Sequence, residues 1–399
     1  MYNRPKSLIL LFIVLALSAF SVPAQMPAEK IVRDKIQELS KFTEDDLDKI
    51  DKGEHVVTEL SGTVKREVGL LGVLKLSYPL KFAWSGLQRA IENQTKETAI
   101  SYGKFGASPS VNDLADLNFD SGDVMDLRQC RVGDCEWNLS EPIIRSLQTD
   151  IDWKAQDSEK RAAELLKRLL ADYVTRYMKD GEKALMVYRD EDDPLRLASE
   201  YSELDPSISL AGAESPKFAE YVRKYPNYEL DGVINDFDWS LVKVGLKPVF
   251  LITHTMSFET KNDRGPRVLT VSKQIFANHY FESSLGVTML IEEDSGDGRP
   301  VTWLVMISHT RTSALRGTFG GFLGGLIKNQ AKGKLASFLS DAKKYTSLAA
   351  ANAKAKIQRE EAVEERSSSS SGWGLWALAG IGLAISVLVI FLLLQKRAG

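Results

Sequence analysis

The sequence predicts an α+β fold: an antiparallel sheet packed on a long late helix, with a helical insertion and one C-terminal transmembrane helix. Three observations lead there. Residues 248–259, 267–292 and 301–311 are runs rich in β-branched and aromatic residues, joined by Lys-Asn-Asp-Arg-Gly and Asp-Ser-Gly-Asp-Gly turns. A helix-like stretch starts near Ser313 and continues beyond Tyr345. Residues 372–394 are 23 in number and carry no charge.

In chain order, residues 1–24 have the layout of a secretory signal. Arg4 and Lys6 precede an apolar run from Ser7 to Phe20, and Val22-Pro23-Ala24 supplies small residues before cleavage. A retained signal-anchor is the alternative. Residues 25–54 form a helical segment, with one amphipathic helix expected over 26–52. The α+β domain covers 55–345. Strands are expected at 56–60 and 69–76, a helix at 80–92 with Phe82, Leu87 and Ile91 on one face, and a strand at 97–105. Residues 107–230 read as a helical insertion with helices at 123–129, 142–149, 158–179 and 216–224. Ser215 before Pro216 is a good cap for the last. The middle late run has 26 residues, so a bend is expected near 283–286.

Residues 346–371 are a helical extension and a Ser-rich linker. The 372–394 run would extend roughly 34 Å as a helix, enough to cross a bilayer. Lys396 and Arg397 place the tip, 395–399, in the cytoplasm, and Trp373 and Trp376 sit at the outer boundary. The tail also resembles bacterial sorting tails that are cut after export. These ends predict a single-pass cell-membrane protein whose globular domain faces the periplasm.

The chain has 51 basic and 54 acidic residues; Arg4, Lys6, Lys396 and Arg397 lie in the ends, which leaves 47 and 54, or −7, for 25–371. Such an acidic domain is not expected to bind nucleic acid. The two cysteines, Cys130 and Cys135, read as a disulfide in an exported chain. Four intervening residues do not fit a redox pair, and no histidine lies nearby for zinc.

No nucleophile elbow, zinc-protease helix, phosphate loop or dinucleotide fingerprint occurs. The apolar faces of the late strands each contain one histidine: His254, His279 and His309. Register argues against a shared metal. His254 is expected opposite Val271, with His279 about 26 Å farther along, and His309 opposite Ser283, about 13 Å from His279. Hence no metal and no cofactor is expected, and the histidines read as hydrogen-bonded groups in or near a cavity. Lys273 shares the second strand's face, and Trp303 and Arg311 that of the third. Gly317, Gly321 and Gly325 recur every four residues, with Phe322 among them. Glycine disfavours a helix by ~1 kcal/mol each, which suggests close approach to a sheet at a cavity mouth. A flexible loop before a helix starting near Lys328 is the alternative. The ligand-binding candidates are therefore His254, His279, Trp303, His309, Arg311, Gly317, Gly321 and Phe322.

The strand ending in Leu76-Ser77-Tyr78-Pro79, followed at once by a helix, resembles the opening of START-like (helix-grip) proteins. The late antiparallel strands and the helix from Ser313 resemble the rest of that fold, over residues 55–106 and 233–345. The resemblance implies a curved sheet that grips the C-terminal helix around an apolar cavity for lipids or similar ligands; the 107–230 insertion departs from it. Lys247-Pro248, Thr253-His254 and 272–285 also resemble exported bacterial proteins of unknown function. The leading expectation is a membrane-anchored protein that binds or transfers a hydrophobic ligand such as a lipid. An envelope scaffold without ligand is second. A cyclase- or hydrolase-type enzyme using His279, His309 or Arg311 is third.

Overall fold

A computed structural model of the chain describes residues 28–364, apart from 41, 63, 245–246, 263–264 and 317–319. Two helices, α1 (Ala28–Leu39) and α2 (Glu44–Asp51), stand where one was expected. Thr43 makes the break by capping α2: its hydroxyl accepts from the Asp46 amide while the Asp46 carboxylate accepts from the Thr43 amide. Strands β1 (Val56–Leu60) and β2 (Glu67–Leu76) follow, then α3 (Leu80–Thr98) and β3 (Ala99–Lys104). Next come α4 (Ser121–Gln129), α5 (Glu141–Thr149), α6 (Ser158–Asp180), the short β4 (Val187–Tyr188) and β5 (Leu195–Arg196), α7 (Leu197–Glu203), α8 (Asp205–Glu214) and α9 (Pro216–Lys224). Five long strands close the sheet: β6 (Val233–Val244), β7 (Lys247–Asn262), β8 (Gly265–Ala277), β9 (Phe281–Asp294) and β10 (Pro300–Thr312). The helix α10 (Gly320–Glu364) comes last.

The main sheet is antiparallel, in the order β1-β2-β10-β9-β8-β7-β6-β3. Both faces of its central strands are buried, which is why those strands are apolar with little alternation. One face carries Phe250, Ile252, Met256, Val287, Val305 and Ile307 and packs against the insertion through Leu166, Leu170, Tyr173 and Val174. The other carries Leu70, Leu74, Leu251, Leu304 and Met306 and packs against Ala83, Leu87 and Ala90 of α3 and Leu335, Phe338 and Leu339 of α10. The domain thus has three layers, with insertion helices, sheet and the α3–α10 pair stacked in that order.

The break in the 26-residue run falls at 278–280 rather than 283–286. Distant partners fix it there. Asn278 Oδ1 accepts from the Phe250 amide at 2.8 Å, and Asn138 of the insertion donates to the Ala277 and Phe281 carbonyls at 3.0 and 3.1 Å. Tyr280 completes the turn with a φ of 58°, the left-handed region.

The fold prediction needs one correction. Among the described residues no helix is long and apolar enough to cross a membrane. The C-terminal helix of the structure is α10, which carries Lys328, Lys332, Lys334, Asp341, Lys343 and Lys344 among its apolar positions and so cannot serve as a span. The architecture is α+β, with a large antiparallel sheet and a C-terminal helix. The signal expected over 1–24 and the apolar run 372–394 lie outside the described residues.

Close approach of backbone through glycine occurs at two positions the sequence did not single out. Gly72 of β2 lies under Leu335 and Leu339 of α10, and a Cβ there would come within 2.9 Å of Leu339. Gly86 of α3 lies against the backbone of Thr346. At Gly325 a Cβ would meet nothing within 4 Å.

Candidate functional site

Between the α3–α10 pair and the β3–β6 edge of the sheet lies a cleft of about 870 Å³. Ile91 of α3 and Tyr345 and Leu348 of α10 give it an apolar wall, and Tyr102, Lys104 and Asp238 face it from the strands. Tyr102 is 54% exposed and Leu348 48%, so apolar surface is open to solvent here. Asp238 is buried. Burial pushes its carboxyl up to about 6, against the pull of Lys104. Lys104 donates to Asp236 at 2.9 Å and stands 3.5 Å from Asp238 Oδ1, while Asp238 Oδ2 accepts no hydrogen bond. Ser240 shares the Asp238 side of β6, and Thr255 faces Asp236 across the β6–β7 pair. Their hydroxyls are likewise buried without partners. A polar strip with unused hydrogen-bonding capacity therefore lies on the sheet face that the cleft borders.

The residues singled out from the sequence lie elsewhere, mostly on the opposite sheet face. His254 is sealed in. Its Nε2 lies 2.9 Å from Asn235 Oδ1 and its Nδ1 3.1 Å from the Tyr177 hydroxyl, with the ring stacked on Phe237 at 4.3 Å. Because Asn235 Oδ1 only accepts, Nε2 carries the proton and Nδ1 accepts from Tyr177. Burial, reinforced by the charge of Lys273, holds the imidazole well below its ordinary pKa, so the ring is neutral. Trp303 is buried on the same face, with Lys75 5.3 Å from its ring.

His309 and Arg311 belong to a buried ionic cluster. His309 Nδ1 lies 2.7 Å from Glu67 Oε1, and Arg311 donates to Glu67 Oε2 at 3.1 Å and to Glu200 Oε2 at 2.7 Å. Arg66 joins Glu200 to Glu282, and Arg316 reaches Glu282 at 2.7 Å. Burial works against ionisation of Glu200, but Arg66 and Arg311 outweigh it and hold its carboxyl below the usual range. Gly69 opposite His309 leaves room for the imidazole, whose Cε1 lies 3.1 Å from where a Cβ would be.

The register differs from the one expected. His254 pairs with Lys273, Lys273 with Leu285, and Leu285 with His309, so these four form one row across the sheet. Asn262 pairs with Gly265 and Asp294 with Pro300, so each hairpin centres about one residue later than expected, which moves the partner of each histidine by two. Three strand spacings of ~4.8 Å separate His254 from His309 by about 14 Å, too far to share an ion. His279 lies in the β8–β9 turn, outside that row. Gly317 lies outside the described residues, and Gly321 and Phe322 fall in the first turn of α10, where the side chains are not described. Cys130 and Cys135 form a disulfide, with Cα atoms 4.3 Å apart, just after α4. Sequence reasoning missed Lys104, Asp238 and the Glu67 cluster. The one available signal was Asn-Asp-Phe-Asp-Trp-Ser in β6, where acidic residues alternate with aromatic ones.

No family model, no curated protein and no solved structure matches the chain.

Proposed function

We propose that this chain is a START-like binding protein that holds an amphipathic, mainly apolar small molecule such as a lipid in the α3–α10 cleft. The observation that carries the reading is the juxtaposition there of an open apolar wall with a buried carboxyl whose Oδ2 has no hydrogen-bond partner. Ligand sites are typically clefts of roughly 300–1,000 Å³ with an apolar lining and a few placed polar groups. The ligand's apolar body would lie on Ile91, Tyr345 and Leu348, and a donor group, hydroxyl or amine, would meet Asp238. The sheet order supports the resemblance: β2 enters α3, and β10, paired beside β2, leads to α10 over the same face. The disulfide supports a place outside the cytoplasm, where such bridges persist.

The experiment is uptake of a fluorescent long-chain amine and a fluorescent phospholipid by the purified full chain, beside mass spectrometry of co-purified small molecules. Ala349→Trp fills the cleft from α10, where Ala349 is half-buried at its wall. It should reduce uptake at least tenfold with an unchanged melting temperature. Uptake equal to that of the parent chain would refute the reading and leave the scaffold alternative.

A further inference from the structure

Outside the cleft, on the insertion side of the sheet, Asp123, Asp126 and His279 bring one ligand atom each to within 4.8 Å of one another. We propose that they form a site for a divalent transition-metal ion of the zinc class. The proposal is independent of the lipid reading, since none of the three lines the cleft.

Asp123 and Asp126 stand three residues apart on α4 and so share one helix face. His279 comes to them from the β8–β9 turn. Its Nδ1 lies 2.8 Å from the carbonyl oxygen of Glu136, which only accepts, so Nδ1 carries the proton. Its ring packs edge-on against Trp137 with centroids 5.4 Å apart. The ring is therefore oriented as metal-binding imidazoles are, with one nitrogen donating to a carbonyl and the other free to ligate.

The second, independent observation is that free nitrogen. His279 is 3% exposed, and its Nε2 has no hydrogen-bond partner. It points at Asp123 Oδ1 from 3.7 Å, beyond hydrogen-bonding distance. A lone pair and a carboxylate oxygen facing each other in a buried place call for a cation between them. Two donors each ~2.1 Å from one ion at a tetrahedral angle stand about 3.4 Å apart, a few tenths of an ångström from the separation here. Asp123 is steadied from behind, because its Oδ2 accepts from the Asp120 amide at 3.4 Å in a capping box. Lys247 is the competing cation. It donates to Asp126 Oδ2 at 2.6 Å and to Glu136 at 3.3 Å, so Asp126 would ligate through its other oxygen. The sulfurs of Cys130 and Cys135 are bonded to each other and are not ligands. One imidazole and two carboxylates suit zinc better than calcium or magnesium, which take oxygen ligands. Three protein ligands leave a coordination position for water.

The test is calorimetric titration of the full chain, stripped with EDTA, with zinc chloride and separately with magnesium chloride. The expected result is one zinc ion per chain at micromolar affinity or tighter, with magnesium at least a hundredfold weaker. Asp126→Asn lies at a partly exposed position and leaves the buried pair intact, so it should fold as the parent chain does. It should weaken zinc at least tenfold, as should His279→Gln. Lys247→Met should tighten binding by removing the competing charge. Absence of stoichiometric zinc binding, or equal binding by parent and Asp126→Asn, would overturn the proposal and leave His279 and Asp123 as a buried pair without metal.

Discussion

Replacing Glu67 by alanine removes the carboxylate that holds both His309 and Arg311 inside the domain. The Glu67 and Arg311 side chains are each 0% exposed, so water cannot take over the lost contacts without entering the sheet–insertion interface. Removing one partner of a buried ion pair costs about 3–5 kcal/mol, because the other charge is left uncompensated. Here Arg311 keeps Glu200 at 2.7 Å and Glu203 at 2.9 Å. The expected loss therefore falls at the low end, about 3 kcal/mol. The comparison is Glu92→Ala, which breaks exposed helical pairs with Arg89 and Lys96 and should cost under about 0.5 kcal/mol. Urea unfolding followed by tryptophan fluorescence reads both. With a slope near 3 kcal/mol per molar urea, Glu67→Ala should lower the midpoint by about 1 M. A loss below about 1 kcal/mol would refute the reasoning, since it would mean that Glu67 contributes no more than a surface pair.

Two further outcomes follow from the same face-by-face reading. Gly86→Ala should lower the melting temperature although alanine favours helix by ~1 kcal/mol, because a Cβ there lies 2.7 Å from Thr346 Cα and overpacking costs about 1–3 kcal/mol. Gly325→Ala, which meets nothing within 4 Å, should be neutral or stabilising; a higher melting temperature for Gly86→Ala would contradict the packing. Asp238→Asn tests the cleft carboxyl. Its folded pKa of about 6 lies above the ordinary 3.8, so the folded state binds the extra proton and stability falls as pH rises from about 4 to 6. The asparagine variant lacks that fall and should exceed the parent by roughly 2–3 kcal/mol at pH 7, with the gap closing near pH 4; a gap independent of pH would sink the assignment.

The sheet and the late helix were legible because their signals are local. Strands β7 and β10 have long β-branched runs, and Asp-Ser-Gly-Asp-Gly marks the turn from β9 to β10. Ser215 marked the start of α9, where its hydroxyl accepts from the Phe218 amide. The helices α7 and α8 went unread because buried polar residues on them are paired with distant strands. Glu200 meets Arg66 and Arg311, and Glu214 meets Arg267, partners 53 to 134 residues away. A polar residue on a predicted helix reads as solvated unless those partners are known. Isolated glycines were unreadable in the same way. Gly72 and Gly86 stand alone in sequence, and only the packing shows that each lies against another element.

The two faces of the sheet differ in how their buried polar groups are partnered. On the insertion side, the apolar faces of β7 and β10 are covered by the helices α4 to α9, and the two histidines on those faces have partners. His254 has Tyr177 and Asn235; His309 has Glu67. The partners come from α6 and from the strands β6 and β2, so a histidine on an apolar strand face is satisfied from its own sheet as well as from the covering layer. On the other side α3 and α10 leave the β3–β6 edge open, and there Asp238 keeps a carboxylate oxygen with no partner, with Ser240 and Thr255 buried behind it on the same face. A buried carboxyl with a spare oxygen costs about 1–3 kcal/mol relative to a satisfied one. In the proposed reading, a donor brought into the cleft by a ligand would offset that cost beside the open apolar wall.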